Sequence, residues 1–289
     1  MDPSKISANV SCMVNRSLRD AISAIRRIGF SSIGLLAFDG AKNSSGYLPG
    51  FWFDDLTEEG REDLKGWLKG FEHISIQAPS DDLPLFTYNV RVKEEAINQI
   101  REAMEAAWFF GAEVVTVRAN PKPFFDISEY WEEMVQTFRL LGDFASGCGV
   151  KLGIETGFPD TFERYTNLFL EIDHDSVGAT LDIGRILPYV PREALSSPEG
   201  DRAFNRILMR MAMMLGSKIH LVHLHDVRGE DWHCGLPLTR GIVEFEPLFE
   251  FLGDMGYDGL LELELEADSP EEGLVESRYY VEDMIAKYG

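Results

Sequence analysis

Eight times over, a short run rich in β-branched and aliphatic residues is followed by a longer amphipathic stretch. Nothing else in the chain restricts the fold as much, because strands that each lead into a helix are joined by crossovers and therefore lie parallel. The strand runs are Ile6–Met13, Ser32–Phe38, His73–Ala78, Glu113–Arg118, Lys151–Thr156, Val177–Asp182, Lys218–Asp226 and Leu260–Glu266. Ser17 reads as the cap of a helix reaching about Ile28, with Leu18, Ala21, Ile22, Ile25 and Ile28 on one stripe. Further helices are predicted from Thr57 to near Phe71, over Val92–Phe110 with Gly111 as the stop, and over Ser128–Gly147. One more ends near Leu170, and three cover Asp201–Leu215, Glu246–Met255 and Glu276–Lys287. No G-x-G-x-x-G follows the first strand, and eight units are the number that closes a barrel. The expectation is a (β/α)8 barrel forming one domain over residues 1–289, with no linker or low-complexity stretch to divide it.

Charge narrows the partners. The 289 residues carry a net charge of -22, which opposes binding to a polyanion, since a nucleic-acid binder needs a basic footprint. A small-molecule substrate is expected, with no nucleic acid and no membrane as partner. Cys12, Cys148 and Cys234 form no CxxC and no even-numbered framework, which suits a reducing compartment. The first residues lack a signal-peptide pattern and no apolar run approaches ~20 residues, so a cytoplasmic location is expected.

In such barrels the chemistry sits at the C-terminal ends of the strands. Those ends carry Gln77, Arg118, Glu155, Asp182, His223 with His225, and Glu264. Alternation along the seventh run places His223 and His225 on one face. Along the eighth it places Glu262, Glu264 and Glu266 opposite Leu261, Leu263 and Leu265. Leucine belongs against the helices, so the acids face the barrel interior, where unneutralised carboxylates repel one another. One divalent cation would resolve the conflict, and oxygen with imidazole donors suits Mn²⁺, Mg²⁺, Co²⁺ or Zn²⁺. A lone strand-end acid is ordinarily solvated or salt-bridged; the informative feature is the joint placement on consecutive strands.

With those residues in view, the chain resembles the xylose-isomerase-like barrels, a group that includes sugar-phosphate isomerases, ketose 3-epimerases and apurinic endonuclease relatives. GVKLGIETG is similar to that group's fifth strand and ATLDIGR to its sixth. VHLHD followed by DWH is similar to its seventh-strand pattern HxxD…DxH, and GYDGLLELE to its eighth strand. The resemblance implies one metal ion held by Glu155, Asp182, His223 and Glu264. It also implies that Glu155 and Glu264 remove and return a proton while the metal stabilises an enediolate. His225, Arg118, Arg185, Asp231, His233 and Gln77 would contact substrate, a sugar or sugar-derived acid or phosphate.

Departures from the group carry information as well. Where the endonuclease branch has further histidines, this chain has Gln77, Arg118 and Arg185, which argues against a three-metal phosphodiesterase. Hydrolysis of that type, with a second ion at Asp231 and His233, is the first alternative; a dehydratase using the same residues on a β-hydroxylated substrate is another. The Gly-rich turn after DxH is altered to GLPLTRG, where Arg240 would either bind an anionic group or lie on the surface. Tyr47, Phe51, Trp52 and Phe53 stand in the loop Gly40–Asp55. They suggest either a lid over the site or a contact with a neighbouring subunit, which would make the chain a homo-oligomer.

Overall fold

The structure, a computed structural model, describes residues 1–43, 45–80, 83–123, 126–195, 197 and 199–289. Its first half runs β1 (Ile6–Asn9), α1 (Leu18–Arg27), β2 (Ser32–Leu36), α2 (Glu58–Leu68), β3 (His73–Gln77), α3 (Val90–Phe110), β4 (Val114–Val117) and α4 (Trp131–Cys148). There follow β5 (Lys151–Glu155), α5 (Phe162–Ile172), β6 (Val177–Asp182), α6 (Arg192–Leu195), α7 (Gly200–Leu215) and β7 (Ile219–Leu224). The chain continues through β8 (Asp226–Val227), β9 (Cys234–Leu236), α8 (Phe245–Asp254), β10 (Leu260–Leu263) and α9 (Pro270–Tyr288). Strands β1 to β7 and β10 form a closed parallel barrel in which β1 pairs with both β2 and β10. The (β/α)8 architecture expected from the alternation is the one observed.

Local signals act where the sequence placed them. Ser17 and Thr57 each accept a backbone N–H from the first turn of α1 and α2, satisfying donors that a helix start leaves open. Gly111 ends α3 at φ +77°, a left-handed conformation that a side chain would disfavour.

The hydrophobic core lies outside the barrel rather than within it. Ile33, Leu35, Ile76, Val115, Ile154, Leu181, Val222 and Leu263 are buried between the strands and the surrounding helices. A separate small cluster of Val114, Leu221 and Leu260 stands apart from that shell. Buried polar residues on the alternate strand positions, Ser7, Ser75, Thr116, Thr180 and Glu262, fill much of the rest. Thr116 of β4 and Thr180 of β6 bring their hydroxyls to 2.8 Å over Gly153 of the intervening β5. Barrel interiors are usually packed with branched aliphatics, so this one is unusually polar.

Several boundaries differ from the sequence reading, each for a local reason. β1 stops at Asn9 because its side chain accepts the Ser11 N–H and opens a 3₁₀ turn over Val10–Cys12. The seventh run breaks after Leu224, and β8 folds back antiparallel onto β9 in a hairpin that alternation alone does not signal. β10 ends at Leu263, so Glu264 and Glu266 lie just beyond it. α9 begins at Pro270, not Glu276; proline suits the first helical turn, but Pro270 and Gly273 together mask it. In the loop 40–55, Phe51 and Phe53 are buried against Phe109 and Phe110 of α3, so they serve intrachain packing. Tyr47 is exposed and bridges back to Lys42; residue 44 of that loop lies outside the described residues. Among the described residues no helix is long and apolar enough to cross a membrane.

Near the start of β7 the register with β6 slips between Ala179 and Thr180, and the His220 ring lies against Gly178. Burial, reinforced by the positive charge of Lys151 and Lys218, pushes the His220 pKa down to about 4. An unfolded histidine takes up its proton near pH 6.5, whereas the folded ring resists protonation until about pH 4. Its contribution to stability is therefore complete above about pH 6.5 and is lost as pH falls toward 4. His220→Phe keeps the ring and removes the titration. The unfolding free energy of the natural protein, measured relative to this variant in denaturant melts, is expected to fall by on the order of 3 kcal/mol between pH 7 and 4. A pH-independent difference would refute the assignment.

Candidate active site

Four strand ends, β5, β6, β7 and the residues following β10, bring Glu155, Asp182, His223 and Glu264 together. Nδ1 of His223 lies 3.5 Å from Asp182 Oδ2, 3.5 Å from Glu264 Oε2 and 3.8 Å from Glu155 Oε1. Glu155, Asp182 and His223 are buried, and Glu264 is partly accessible. Asp182 is braced through its backbone, which exchanges hydrogen bonds with the Thr156 hydroxyl at 2.8 and 3.0 Å. Glu264 continues the ladder by donating its N–H to Leu224 O at 3.2 Å. Cys12, in the turn after β1, brackets that residue: its thiol donates to Leu263 O at 3.5 Å and accepts from Leu265 N at 3.1 Å.

Glu155 is the most heavily engaged of the acids. Arg118 Nε donates to it at 2.5 Å, Arg185 Nε pairs with it at 3.0 Å, and Gln77 Nε2 donates at 3.4 Å. The three positions that depart from the endonuclease pattern thus gather around one carboxylate. Burial raises the Glu155 pKa, but the two guanidiniums outweigh it and hold the group well below the usual carboxylate range. Glu264 goes the other way: burial, with Asp182, Glu155 and Glu262 nearby, lifts it to about 7 despite the attraction of His223. For His223, burial disfavours the charged ring, yet the surrounding carboxylates, Glu264 foremost, hold its pKa well above the ordinary value.

His225 faces the same cavity with a fixed orientation. Its Nε2 accepts the Gly184 N–H at 2.9 Å, which leaves any ring proton on Nδ1, and burial lowers its pKa. The cavity above the cluster measures about 240 Å³ and is lined by Gln77, Arg118, Arg185, His225 and Glu264 on its polar side. Leu36, Phe38, Leu48 and Leu265 form the apolar side.

Asp231 and His233 are placed elsewhere, on the β8–β9 hairpin. Asp231 pairs with Arg228 at 3.0 Å and caps the His233 N–H at 3.2 Å, while His233 lines an adjoining cavity with Arg228 and Arg240. Arg240 is exposed and pairs with Glu276. Asp226 is buried and accepts N–H groups from Val227, Gly241 and Val243, so it pins the loop rather than facing the cavity. Among the described residues, the side chains close enough to share one ion are Glu155–Asp182–His223 and His223–Glu262–Glu264. The alternation predicts Glu262 only as an inward-facing acid; its approach to His223 is set by the β7–β10 register, which pairs the two residues.

The cluster fits a cation. Both ring nitrogens of His223 are buried without a hydrogen-bond partner among the described residues. Glu155, Asp182, Glu262 and Glu264 contribute four negative charges near His223, against the two guanidiniums of Arg118 and Arg185. With the imidazole neutral, a divalent ion would balance that difference of two.

Known proteins of similar sequence include an uncharacterized protein of Methanocaldococcus jannaschii, 28% identical over 202 residues that span 66% of this chain and 64% of that protein. Inosose dehydratase of Serratia proteamaculans is 24% identical over 228 residues, 66% of this chain and 72% of that enzyme. A D-tagatose 3-epimerase-like protein superposes with a TM-score of 0.71 at 23% identity, covering 98% of this chain and 97% of that one. The IolI protein with a bound zinc atom gives 0.72 at 18% identity, covering 98% and 99%. A xylose isomerase-like barrel protein from Mycobacterium smegmatis in complex with magnesium gives 0.72 at 17%, covering 98% and 97%. These superpositions show the shared barrel. Residues 22–283 match the family described as Xylose isomerase-like TIM barrel, and the chain belongs to that family.

Proposed function

We propose that the chain is a divalent-metal-dependent isomerase or epimerase of a sugar, or of a sugar-derived acid or phosphate, acting as one domain over residues 1–289. The observation that carries this reading is the convergence of three carboxylates on Nδ1 of one buried histidine at 3.5–3.8 Å. Glu155, Asp182, His223 and Glu264 would hold the ion, Mn²⁺, Mg²⁺, Co²⁺ or Zn²⁺. When bound, such an ion supplies Lewis-acid polarisation of a substrate carbonyl.

The protein's own groups do the rest. Glu155 and Glu264 approach from strand positions three apart around the barrel, so a carbon between them can lose a proton to one carboxylate and regain it from the other. Arg118 and Arg185 fix the Glu155 carboxylate through their pairing, and both also line the cavity, where a guanidinium suits a substrate phosphate or carboxylate. His225, held at Nε2 by the Gly184 N–H, lines the same cavity and would contact a substrate hydroxyl. Leu36, Phe38, Leu48 and Leu265 shield the reacting carbon from water. A cavity smaller than the ~300–1,000 Å³ of typical drug-sized sites suits one small molecule.

The dehydratase reading is favoured by a different observation, the similarity to inosose dehydratases at 24% and 26% identity. The same proton removal, followed by loss of a β-hydroxyl as water, would then give a dehydrated product. For hydrolysis of the endonuclease type, a second ligand cluster at Asp231 and His233 would be needed, and neither residue belongs to the two ion-sized groupings among the described residues.

Elemental analysis of protein purified without chelator is expected to find about one divalent ion per chain, and a large loss of it in Glu155→Gln and Asp182→Asn. Two or three ions would favour hydrolysis; none, even after incubation with Mn²⁺, Co²⁺ or Zn²⁺, would sink the metal reading. With ketoses, sugar acids and inososes as substrates, Glu264→Gln is expected to lower kcat by roughly 10²–10⁴. Mass analysis of the product separates the two reactions: unchanged mass marks isomerisation, and loss of one water marks dehydration.

A further inference from the structure

Below the four-residue cluster lies a carboxylate that the proposed reaction does not use. Glu262 is 1% exposed, deep in the barrel. Its Oε1 accepts from Asn9 Nδ2 at 2.8 Å, and its Oε2 from the hydroxyls of Ser7, at 3.2 Å, and Ser75. All three donors are neutral. The basic side chain paired with it is His223, whose Nε2 stands 3.7 Å from Oε1 and has no other hydrogen-bond partner among the described residues. The fold makes room for this acid: a Cβ on Gly34 of β2 would run into the Glu262 carboxylate. Two serines, an asparagine and a glycine therefore stand where a barrel ordinarily stacks branched aliphatics.

The two nitrogens of His223 look in different directions, Nδ1 toward Glu155, Asp182 and Glu264, and Nε2 toward Glu262. A neutral imidazole carries one proton. On Nδ1 it would face the place where a cation is needed and would leave a lone pair facing a carboxylate; on Nε2 both conflicts vanish. We infer that Glu262 is a positioning residue for His223: its carboxylate takes the Nε2–H and thereby turns the Nδ1 lone pair toward Glu155, Asp182 and Glu264. This rests on the reading that those residues and His223 hold a divalent ion. A partner of this kind fixes the tautomer and ring orientation and strengthens the donor nitrogen without occupying a coordination position.

The test uses Zn²⁺ as the probe. In the Zn²⁺-loaded natural protein with ¹⁵N-labelled histidine, long-range ¹H–¹⁵N spectra report which ring nitrogen of His223 is protonated, with its signals assigned by their loss in His223→Gln. The expected result is a proton on Nε2. Competition against a chelating indicator is expected to show a 10–100-fold weaker Zn²⁺ affinity in Glu262→Gln. Gly34→Ala should show the same loss, since its methyl group displaces the carboxylate but leaves it charged. A proton on Nδ1, or unchanged affinity in a folded variant of either kind, overturns the assignment while leaving the metal reading intact. Absence of Zn²⁺ binding by the natural protein overturns both. Should Glu262→Gln not fold, the tautomer measurement and Gly34→Ala decide the matter.

Discussion

The mutual repulsion of carboxylates gathered inside a barrel governs much of the rest of this structure. Glu155, Asp182, Glu262 and Glu264 are drawn around a single imidazole, and water cannot screen them there. The chain answers with different means at different depths. At the bottom of the cluster, neutral hydroxyl and amide donors hold Glu262. At its top, two arginines clamp Glu155. Asp182 receives the Arg185 backbone N–H at 3.0 Å, and among the described residues Glu264 has no such clamp: burial and the carboxylates beside it raise its pKa.

Such an interior is tolerable because stability is supplied elsewhere. The aliphatic faces of the strands and the inner stripes of the helices form one continuous shell around the barrel. Burial of apolar area there does not depend on what fills the lumen. The lumen is consequently free to carry serines, threonines and acids. A barrel with its main core inside would have far less freedom to place a buried histidine with two open nitrogens.

Much of this was legible from the sequence, and for identifiable reasons. The eightfold alternation reports the parallel barrel because crossovers impose it, and the period of two along the seventh and eighth runs reports which residues face inward. Glu155, Asp182, His223 and Glu264 lie at strand ends, as do Gln77, Arg118 and His225, and it is the resemblance to the family that singles the four out. What escaped was set by contacts between segments distant in the chain. The β8–β9 hairpin depends on the buried Asp226 gathering N–H groups from residues up to 17 positions away. Phe51 and Phe53 look like a lid in isolation, and only the aromatic pair ending α3 shows where they go. His225 sits on the predicted face, but its bond to the Gly184 N–H could not be read from spacing, and neither could the placing of His233 in an adjoining cavity or the pairing of Asp231 with Arg228.

The joint between β1 and β10 has a consequence for how this site comes into being. Every motif bearing Glu155, Asp182, His223 and Glu264 lies in the second half of the chain. Yet Ser7 and Asn9 hold Glu262, and Cys12 brackets Glu264, from the first dozen residues. Those contacts span more than 250 positions, so during synthesis on a ribosome Ser7, Asn9 and Cys12 emerge long before the acids they align. The arrangement of carboxylates around His223 is complete only when the first strand of the barrel meets the last, which makes ring closure the step that finishes it.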